Sequence, residues 1–128
     1  MIDNQRACIA AIAASLIHSK NITSVYSYGL GKYISVSGQV NDKNVSVFDY
    51  SRSCHITGNG TRGDYSLFDY GTSRHITLKI DGKKFSGFDY ESNSHYSGSI
   101  NGNSVSIYDY DDGQYHNYSC WSFMVELK

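Results

Sequence analysis

The sequence has no proline and no charged block: its 128 residues carry 11 basic and 12 acidic side chains, for a formal net charge of −1. A protein without a basic cluster lacks the electrostatic surface that nucleic acids need, so nucleic acid is not an expected partner. Low-complexity stretches that would mark a linker or a disordered tail are also missing. Residues 1–128 are therefore predicted to form a single domain.

Long hydrophobic runs are missing as well. The longest, "ACIAAIAASLI" at residues 7–17, falls short of the roughly 20 residues that span a bilayer. Its length is typical of the core of a secretion signal, but Asp3 stands where such a signal carries positive charge. Three cysteines, an odd number, make no complete disulfide framework. We therefore expect a cytoplasmic protein with free thiols and no membrane association, with secretion as the less favoured alternative.

What the sequence does have is a repeat of twenty residues. The segment "VSVFDYSRSCHITGNG" at residue 45 is followed by "YSLFDYGTSRHITLKI" at 65, "FSGFDYESNSHYSGSI" at 85 and "VSIYDYDDGQYHNYSC" at 105. Each copy alternates apolar and polar residues, and turn signals such as Asp81-Gly82 and Asn101-Gly102 separate the runs. Alternation with a period of two, interrupted by such turns, predicts tandem β-hairpins.

The expected fold is mainly β, with one N-terminal helix. Residues 3–19 are predicted to be helical, because they are rich in alanine and place Ile9, Ile12 and Leu16 at helical spacing, with Asp3 or Asn4 as the N-cap. Residues 22–128 are predicted to form an antiparallel up-and-down meander, with residues 121–128 as a candidate extension of the last strand. The ten predicted strands lie near residues 22–30, 33–40, 44–50, 54–59, 64–70, 74–80, 84–90, 94–100, 104–110 and 114–120.

The turn signals also predict the register of the strands. A two-residue turn centred on Asn101-Gly102 fixes one hairpin, and the twenty-residue period carries the same offset to the others. The predicted cross-strand pairs include Gly98 with Val105, Tyr96 with Ile107, His95 with Tyr108, Leu78 with Phe85, His75 with Phe88, Arg74 with Asp89, His55 with Phe68, Ser35 with Phe48 and Tyr28 with Ser35.

This register sorts the side chains onto two different faces, because they alternate along a strand. One face is aliphatic, and its members are Ile34, Val36, Val45, Val47, Ile56, Leu67, Ile76, Leu78, Ile80, Phe85, Val105 and Ile107. The other face is aromatic and hydroxylated. Its rings are Phe48, Tyr50, His55, Phe68, Tyr70, His75, Phe88, Tyr90, His95, Tyr108, Tyr110 and Tyr115.

The aliphatic face needs a cover, and the helix is the one apolar element left to provide it. A helix of about sixteen residues and strands of about seven residues have similar lengths, near 24 Å. We therefore predict a curled sheet, an incomplete barrel, wrapped around or against the helix. A flat single-layer sheet is the second alternative, and a closed barrel with the aromatic face inside, carrying an apolar ligand, is the third.

The Asp residue of each repeated triplet is predicted to have a structural role. Asp49, Asp69, Asp89 and Asp109 fall on the aliphatic face just before a turn, where a carboxylate accepts hydrogen bonds from turn amides. Arg74 is the expected ion-pair partner of Asp89.

Neither metal binding nor catalysis is expected. Equivalent positions of neighbouring repeats lie about 9.6 Å apart, twice the inter-strand spacing. That separation prevents His55, His75 and His95 from sharing one zinc ion, and the carboxylates from sharing calcium. The histidines and the carboxylates are also predicted on opposite faces, so no general base has an orienting acid. We expect a non-enzymatic protein without a cofactor.

The aromatic face is the predicted binding surface, because a patch of rings this large is rarely left exposed on a monomer. The residues assigned to it are Phe48, Tyr50, His55, Phe68, Tyr70, His75, Phe88, Tyr90, His95, Tyr108 and Tyr110. A second copy of the chain, forming a homodimer, is the expected partner. A linear carbohydrate stacked on the same rings is the alternative.

Overall fold

The computed structural model of the chain describes residues 1–122 and contains one helix followed by ten antiparallel strands in up-and-down order. The elements are α1 (Asp3–His18), β1 (Ser24–Ser27), β2 (Lys32–Val40), β3 (Asn44–Asp49), β4 (Cys54–Thr61), β5 (Asp64–Asp69), β6 (Arg74–Asp81), β7 (Lys84–Asp89), β8 (Ser94–Asn101), β9 (Ser104–Asp109) and β10 (Gln114–Trp121). The predicted fold class is confirmed. The strand β1 is shorter than expected, and most of the predicted extension at residues 121–128 lies outside the described residues.

The sheet closes into a complete barrel, which corrects the predicted incomplete one. The seam joins β1 to β10 in an antiparallel ladder that runs from Ser24 opposite Trp121 to Ser27 opposite Tyr118. On its other side β1 pairs with β2, so every strand has two neighbours. Closure leaves no exposed sheet edge on which another chain could add a strand.

The helix α1 lies inside this barrel and is buried on all sides. The side chains of residues 7–14 are at most 1% exposed. Even the polar Gln5, Arg6 and Ser15 are buried, so the sheet encloses the helix and does not cover only its apolar side. Five of the residues from 7 to 14 are alanine, and their small side chains let the helix fit between the walls.

The predicted aliphatic face forms the inner wall of the barrel. All of its twelve members are buried except Ile80, which is partly buried. The interior also takes in Tyr65, Tyr96, Ile100 and Tyr118, each at most 7% exposed. The alternatives of a flat sheet and of a barrel with its aromatic face inside are therefore wrong. Because α1 fills the interior, we do not propose the function of an apolar-ligand carrier that went with the latter.

The observed register differs from the predicted one by two residues in the predicted hairpins. Asn101 pairs with Ser104, so the turn residues are Gly102 and Asn103 rather than Asn101 and Gly102. The cause is backbone conformation: Gly102 has a φ of +61°, which places the left-handed residue at the first turn position. A shift of two keeps every side chain on its predicted face. It replaces the pairs predicted for β2 to β9, including His95 with Tyr108, His75 with Phe88 and His55 with Phe68. Between β1 and β2 the displacement is four residues.

The start of α1 also differs from prediction. Ile2 occupies the N-cap position and makes no side-chain capping bond. Asp3 lies in the first turn instead and accepts a hydrogen bond from the hydroxyl group of Tyr118 at 2.7 Å. The predicted capping residue thus fastens the helix to the barrel wall.

Closure of the barrel predicts that a disulfide will form across the seam. Val25 and Cys120 are directly opposite, and both side chains are buried. Facing residues in a non-hydrogen-bonded antiparallel pair have Cα atoms about 4.5 Å apart, within the range of a disulfide. We expect mild oxidation of Val25→Cys to consume two thiols and to link β1 to β10, as measured by thiol titration and peptide mapping.

The matched control is Val45→Cys, another buried valine of the inner wall. It pairs with Gly58 and Val40 and has no cysteine opposite, so its four thiols should persist. Failure of Val25→Cys to link, in protein that keeps the wild-type fold, would contradict the closed seam.

Candidate binding surface

The aromatic side chains of each repeat form one compact cluster on the outer wall. In the first full repeat, the ring of Phe48 lies 4.9 Å from that of Tyr50 and 4.8 Å from that of His55, measured between centroids. Both contacts are edge-to-face, the geometry that aromatic quadrupoles favour. The central Phe48 is half-buried, and Tyr50 and His55 are exposed.

The structure has five such clusters, one for each pair of strands around the barrel. We call them together the aromatic belt. In chain order its clusters are Tyr26, Tyr28 and Tyr33; Phe48, Tyr50 and His55; Phe68, Tyr70 and His75; Phe88, Tyr90 and His95; and Tyr108, Tyr110 and Tyr115. Every predicted surface residue belongs to the belt. The predicted single face is instead a convex band around the barrel.

A four-residue turn builds each cluster. The ladder places Phe48 opposite His55, so the histidine packs on the phenylalanine of its own repeat rather than on Phe68 of the next. The turn between them ends with Ser53 in the left-handed region, at a φ of 53°. Ser73 and Asn93 have the same conformation at the equivalent positions, with φ of 58° and 53°. A repeated turn thus produces a repeated aromatic contact.

Sequence reasoning missed the first cluster. Tyr26 and Tyr28, followed by Tyr33, have the same spacing as Phe48, Tyr50 and His55, and that spacing was the available signal. The triplet lacks the aspartate of the other repeats, because Ser27 occupies its position. The predicted pair of Tyr28 with Ser35 is also replaced, since Ser35 pairs with Ser24.

The four repeated aspartates lie beneath the belt and face inward. They are at most 1% exposed. Asp49 accepts bonds from the Ser51 amide at 2.9 Å and hydroxyl group at 2.6 Å. Asp69, Asp89 and Asp109 each accept the amide two residues further on. The predicted capping of turn amides is confirmed.

Arginine side chains neutralise part of this buried charge. Arg52 donates to Asp49 at 2.6 Å and to Asp69 at 2.9 Å. Arg6 of the helix donates to Asp109 at 2.9 Å, and the Met1 ammonium group donates to the same carboxylate at 3.0 Å. Sequence reasoning found none of these pairs: those of Asp109 join segments far apart in the chain, whereas Arg52 and Asp49 are only three residues apart. The predicted pair of Arg74 with Asp89 is wrong: Arg74 lies 3.3 Å from Glu91.

The helix supplies the carboxylate that the first cluster lacks. The Ser27 hydroxyl group donates to Asp3, and the same oxygen accepts the Leu30 amide at 3.1 Å. Ser27 therefore caps its turn as an aspartate would, and Asp3 provides the negative charge from α1. Burial alone would raise the pKa of Asp3, but hydrogen bonds from Ser27, Tyr118 and Arg6 outweigh it and leave the pKa below its ordinary value.

A trough follows the belt along part of the outer wall. Its main section, of about 780 Å³, crosses β4–β8, and flanking sections of about 560 Å³ each extend it. Neighbouring sections share small polar residues, notably Ser66, Thr77 and Ser86. Phe88 and His95 line the main section, and Lys79 also lines it. Rings beside hydroxyl groups suit the binding of a ligand that presents both apolar and polar groups.

The histidines of the belt lie on the outer wall, whereas the repeated carboxylates lie inside. Within residues 1–122 there is no group of three His, Cys, Asp or Glu residues arranged to hold a metal ion. The one helix of that region is neither long nor apolar enough to cross a membrane.

Comparison with protein-family models, with curated proteins and with solved structures finds no match to this chain. The function must therefore be argued from the belt and the trough themselves.

The buried charge network predicts a pH-dependent contribution from Asp109. Burial raises the pKa of Asp109, but bonds from the Met1 ammonium group, the Asp111 amide and Arg6 more than compensate and lower it. A lowered folded pKa means that the stabilisation is complete above the unfolded value of about 3.9 and is lost as the pH falls through the folded value. We expect Asp109→Asn to reduce the free energy of unfolding by about 3 kcal/mol at pH 7.

Urea denaturation at pH 7, 5, 4 and 3 measures this effect, and the difference from wild type should shrink below about pH 4. The control is Asp111→Asn, whose side chain is 49% exposed and should change the stability by less than about 0.5 kcal/mol. If the loss of unfolding free energy in Asp109→Asn is the same at pH 3 as at pH 7, the lowered pKa assigned to Asp109 would be contradicted.

Proposed function

We propose that this chain is a non-enzymatic binding protein that acts through its aromatic belt and that its partner is a second copy of the chain. The observation that carries the proposal is the exposure of the outer tyrosines. Tyr50, Tyr70, Tyr90 and Tyr110 are 50–60% exposed beside half-buried rings. Tyrosine in this state offers apolar area at a small cost in side-chain entropy, which is why it is enriched at interfaces.

We propose the wall formed by β5–β8 as the dimer interface. It carries two adjacent clusters of identical composition, centred on Phe68 and Phe88, next to the main section of the trough. A two-fold axis between them would bring one cluster of each copy against the other cluster of its partner. A standard interface covers about 800 Å² per partner, roughly a ninth of the 7018 Å² surface. The contact is therefore local and leaves the far side of the belt free.

A cytoplasmic location belongs to the same proposal. Cys8, Cys54 and Cys120 are all free, and burial raises the pKa of each thiol, that of Cys120 to about 12. Unpaired thiols fit a reducing compartment. The run at residues 7–17, which has the length of a secretion-signal core, supplies the packed centre of the barrel.

Light scattering after gel filtration, across a dilution series at neutral pH, tests the dimer. We expect twice the 14.3 kDa of the chain at high concentration. The double variant Tyr70→Asp with Tyr90→Asp should be a folded monomer, because it puts facing negative charges into the interface.

The matched control, Tyr28→Asp with Tyr33→Asp, lies on the opposite wall and should remain dimeric. A wild type that is monomeric at every concentration would refute self-association.

The second candidate function, carbohydrate binding, is favoured by the trough. A convex wall meets a second convex wall over a narrow strip, whereas a thin ligand can follow a groove. The trough runs beside the rings of Phe68, Phe88 and His95 and is lined by Ser66 and Thr77. Stacking on the rings and hydrogen bonding to the hydroxyl groups would then be provided by neighbouring residues.

Chemical-shift titration of the ¹⁵N-labelled protein with cellohexaose, chitohexaose, xylohexaose and maltohexaose tests this function. We expect at least one of them to produce saturable shifts confined to β4–β10. If none of the four produces shifts, the result would count against carbohydrate binding. The dimer is tested separately, by the solution mass.

A further inference from the structure

The hairpin formed by β6 and β7 departs from the repeat on the inner side of the barrel wall. We call it the third hairpin, after those of β2–β3 and β4–β5. In the hairpins of β2–β3, β4–β5 and β8–β9, a glycine on the even-numbered strand faces a large residue on the odd-numbered strand, as in Gly58 opposite Leu67 and Gly98 opposite Ile107. At the seam the equivalent pair is Tyr118 opposite Ser27. In the third hairpin the two are exchanged, with Leu78 on β6 and Gly87 on β7. The next strand differs as well, since Tyr96 takes the place that Ile76 holds one repeat earlier.

This exchange coincides with a break in the ladder between β6 and β7. Ile76 pairs with Asp89, and the next pair is Lys79 with Ser86. The two residue pairs that would lie between them are not formed. The ladder of β4 and β5 is continuous over the same positions. At the break the two strands are held by side chains rather than by main-chain pairing alone.

Two hydrogen bonds hold the strands at the break. The Phe88 amide donates to the Thr77 hydroxyl group at 2.9 Å. The Tyr96 hydroxyl group donates to the Thr77 carbonyl oxygen at 2.7 Å. A Cβ atom on Gly87 would lie 1.9 Å from that carbonyl oxygen and 2.6 Å from the Tyr96 hydroxyl oxygen. With Tyr96 in place and the ladder open at Thr77, only glycine fits at position 87.

The main section of the trough lies at this break. Leu78 and Gly87 are both among the residues that line its 780 Å³, so the groove lies over the place where the strands part. Lys79 lies opposite Asp64 in the ladder and leaves the groove without net charge. An apolar floor, an aromatic edge and uncharged hydroxyl groups favour a neutral ring that carries hydroxyl groups.

We propose that this groove is a single binding site for a pyranose ring of a neutral glycan, with the ring stacked on Phe88 and in edge contact with His95, and its hydroxyl groups bonded to Ser66, Thr77 and Ser86. The proposal rests on the carbohydrate function given above. It makes the belt a repeated shape and places the site where the ladder between β6 and β7 is interrupted.

Restoring the repeat tests the proposal. The triple variant Leu78→Gly, Gly87→Leu and Tyr96→Ile copies the residues found twenty positions earlier, Gly58, Leu67 and Ile76. It should fold, close the ladder and lose the shifts produced by whichever oligosaccharide of the panel binds the wild type. Dispersion of the amide spectrum reports folding independently of binding.

A matched pair of variants keeps the test decisive if the triple variant does not fold. Phe88→Ala should weaken binding of that oligosaccharide by about tenfold or more. Phe48→Ala, the equivalent change in a cluster outside the groove, should alter binding by less than about twofold.

If Phe88→Ala and Phe48→Ala weaken oligosaccharide binding equally, the single site would be overturned, and carbohydrate binding by the whole belt would remain. Unchanged binding in both Phe88→Ala and a folded triple variant would also overturn it. If no oligosaccharide of the panel produces shifts, the glycan site would be overturned. The dimer would still be tested by the solution mass.

Discussion

The packing of one helix inside a ten-stranded barrel is the constraint on which the rest of the structure depends. The interior can hold α1 because the central residues of the helix are small. The wall can close because the helix fills the space inside it. Side chains alternate along each strand, so filling the interior with aliphatic groups sends the rings outward. The aromatic belt is thus a consequence of the same alternation that builds the core.

The polar end of the barrel gives the helix its position. A helix surrounded by aliphatic side chains could slide or rotate at small cost, whereas hydrogen bonds to buried carboxylates are specific in distance and direction. Gln5 donates to Asp69, and Arg6 donates to Asp109 and Asp3. Each repeated aspartate therefore serves its turn, and Asp69 and Asp109 also bind the helix directly.

Local features of the sequence predicted much of this fold, and non-local ones escaped prediction. Tight turns and alternation gave the strands and their faces, because both depend on residues close in the chain. The seam between β1 and β10 was missed, since β1 has only four residues and its partner lies far along the chain. The predicted register differs from the observed one because the positive φ of Gly102 decides which residues form the turn. The first cluster escaped prediction because Ser27 stands where the other repeats have an aspartate. The eleven predicted surface residues were found on the outer wall, but the closed shape that turns them into a belt was not predicted.

Native-state hydrogen exchange of the helix amides tests the central claim most directly. If α1 is enclosed by the barrel, the amides of residues 11–14, bonded within the helix, can exchange only when the barrel opens. They should then show the same opening free energy as the amides of β6, equal to the global free energy of unfolding. Helix amides that exchange through a separate opening of lower free energy, while β6 stays protected, would contradict a helix held inside a closed wall.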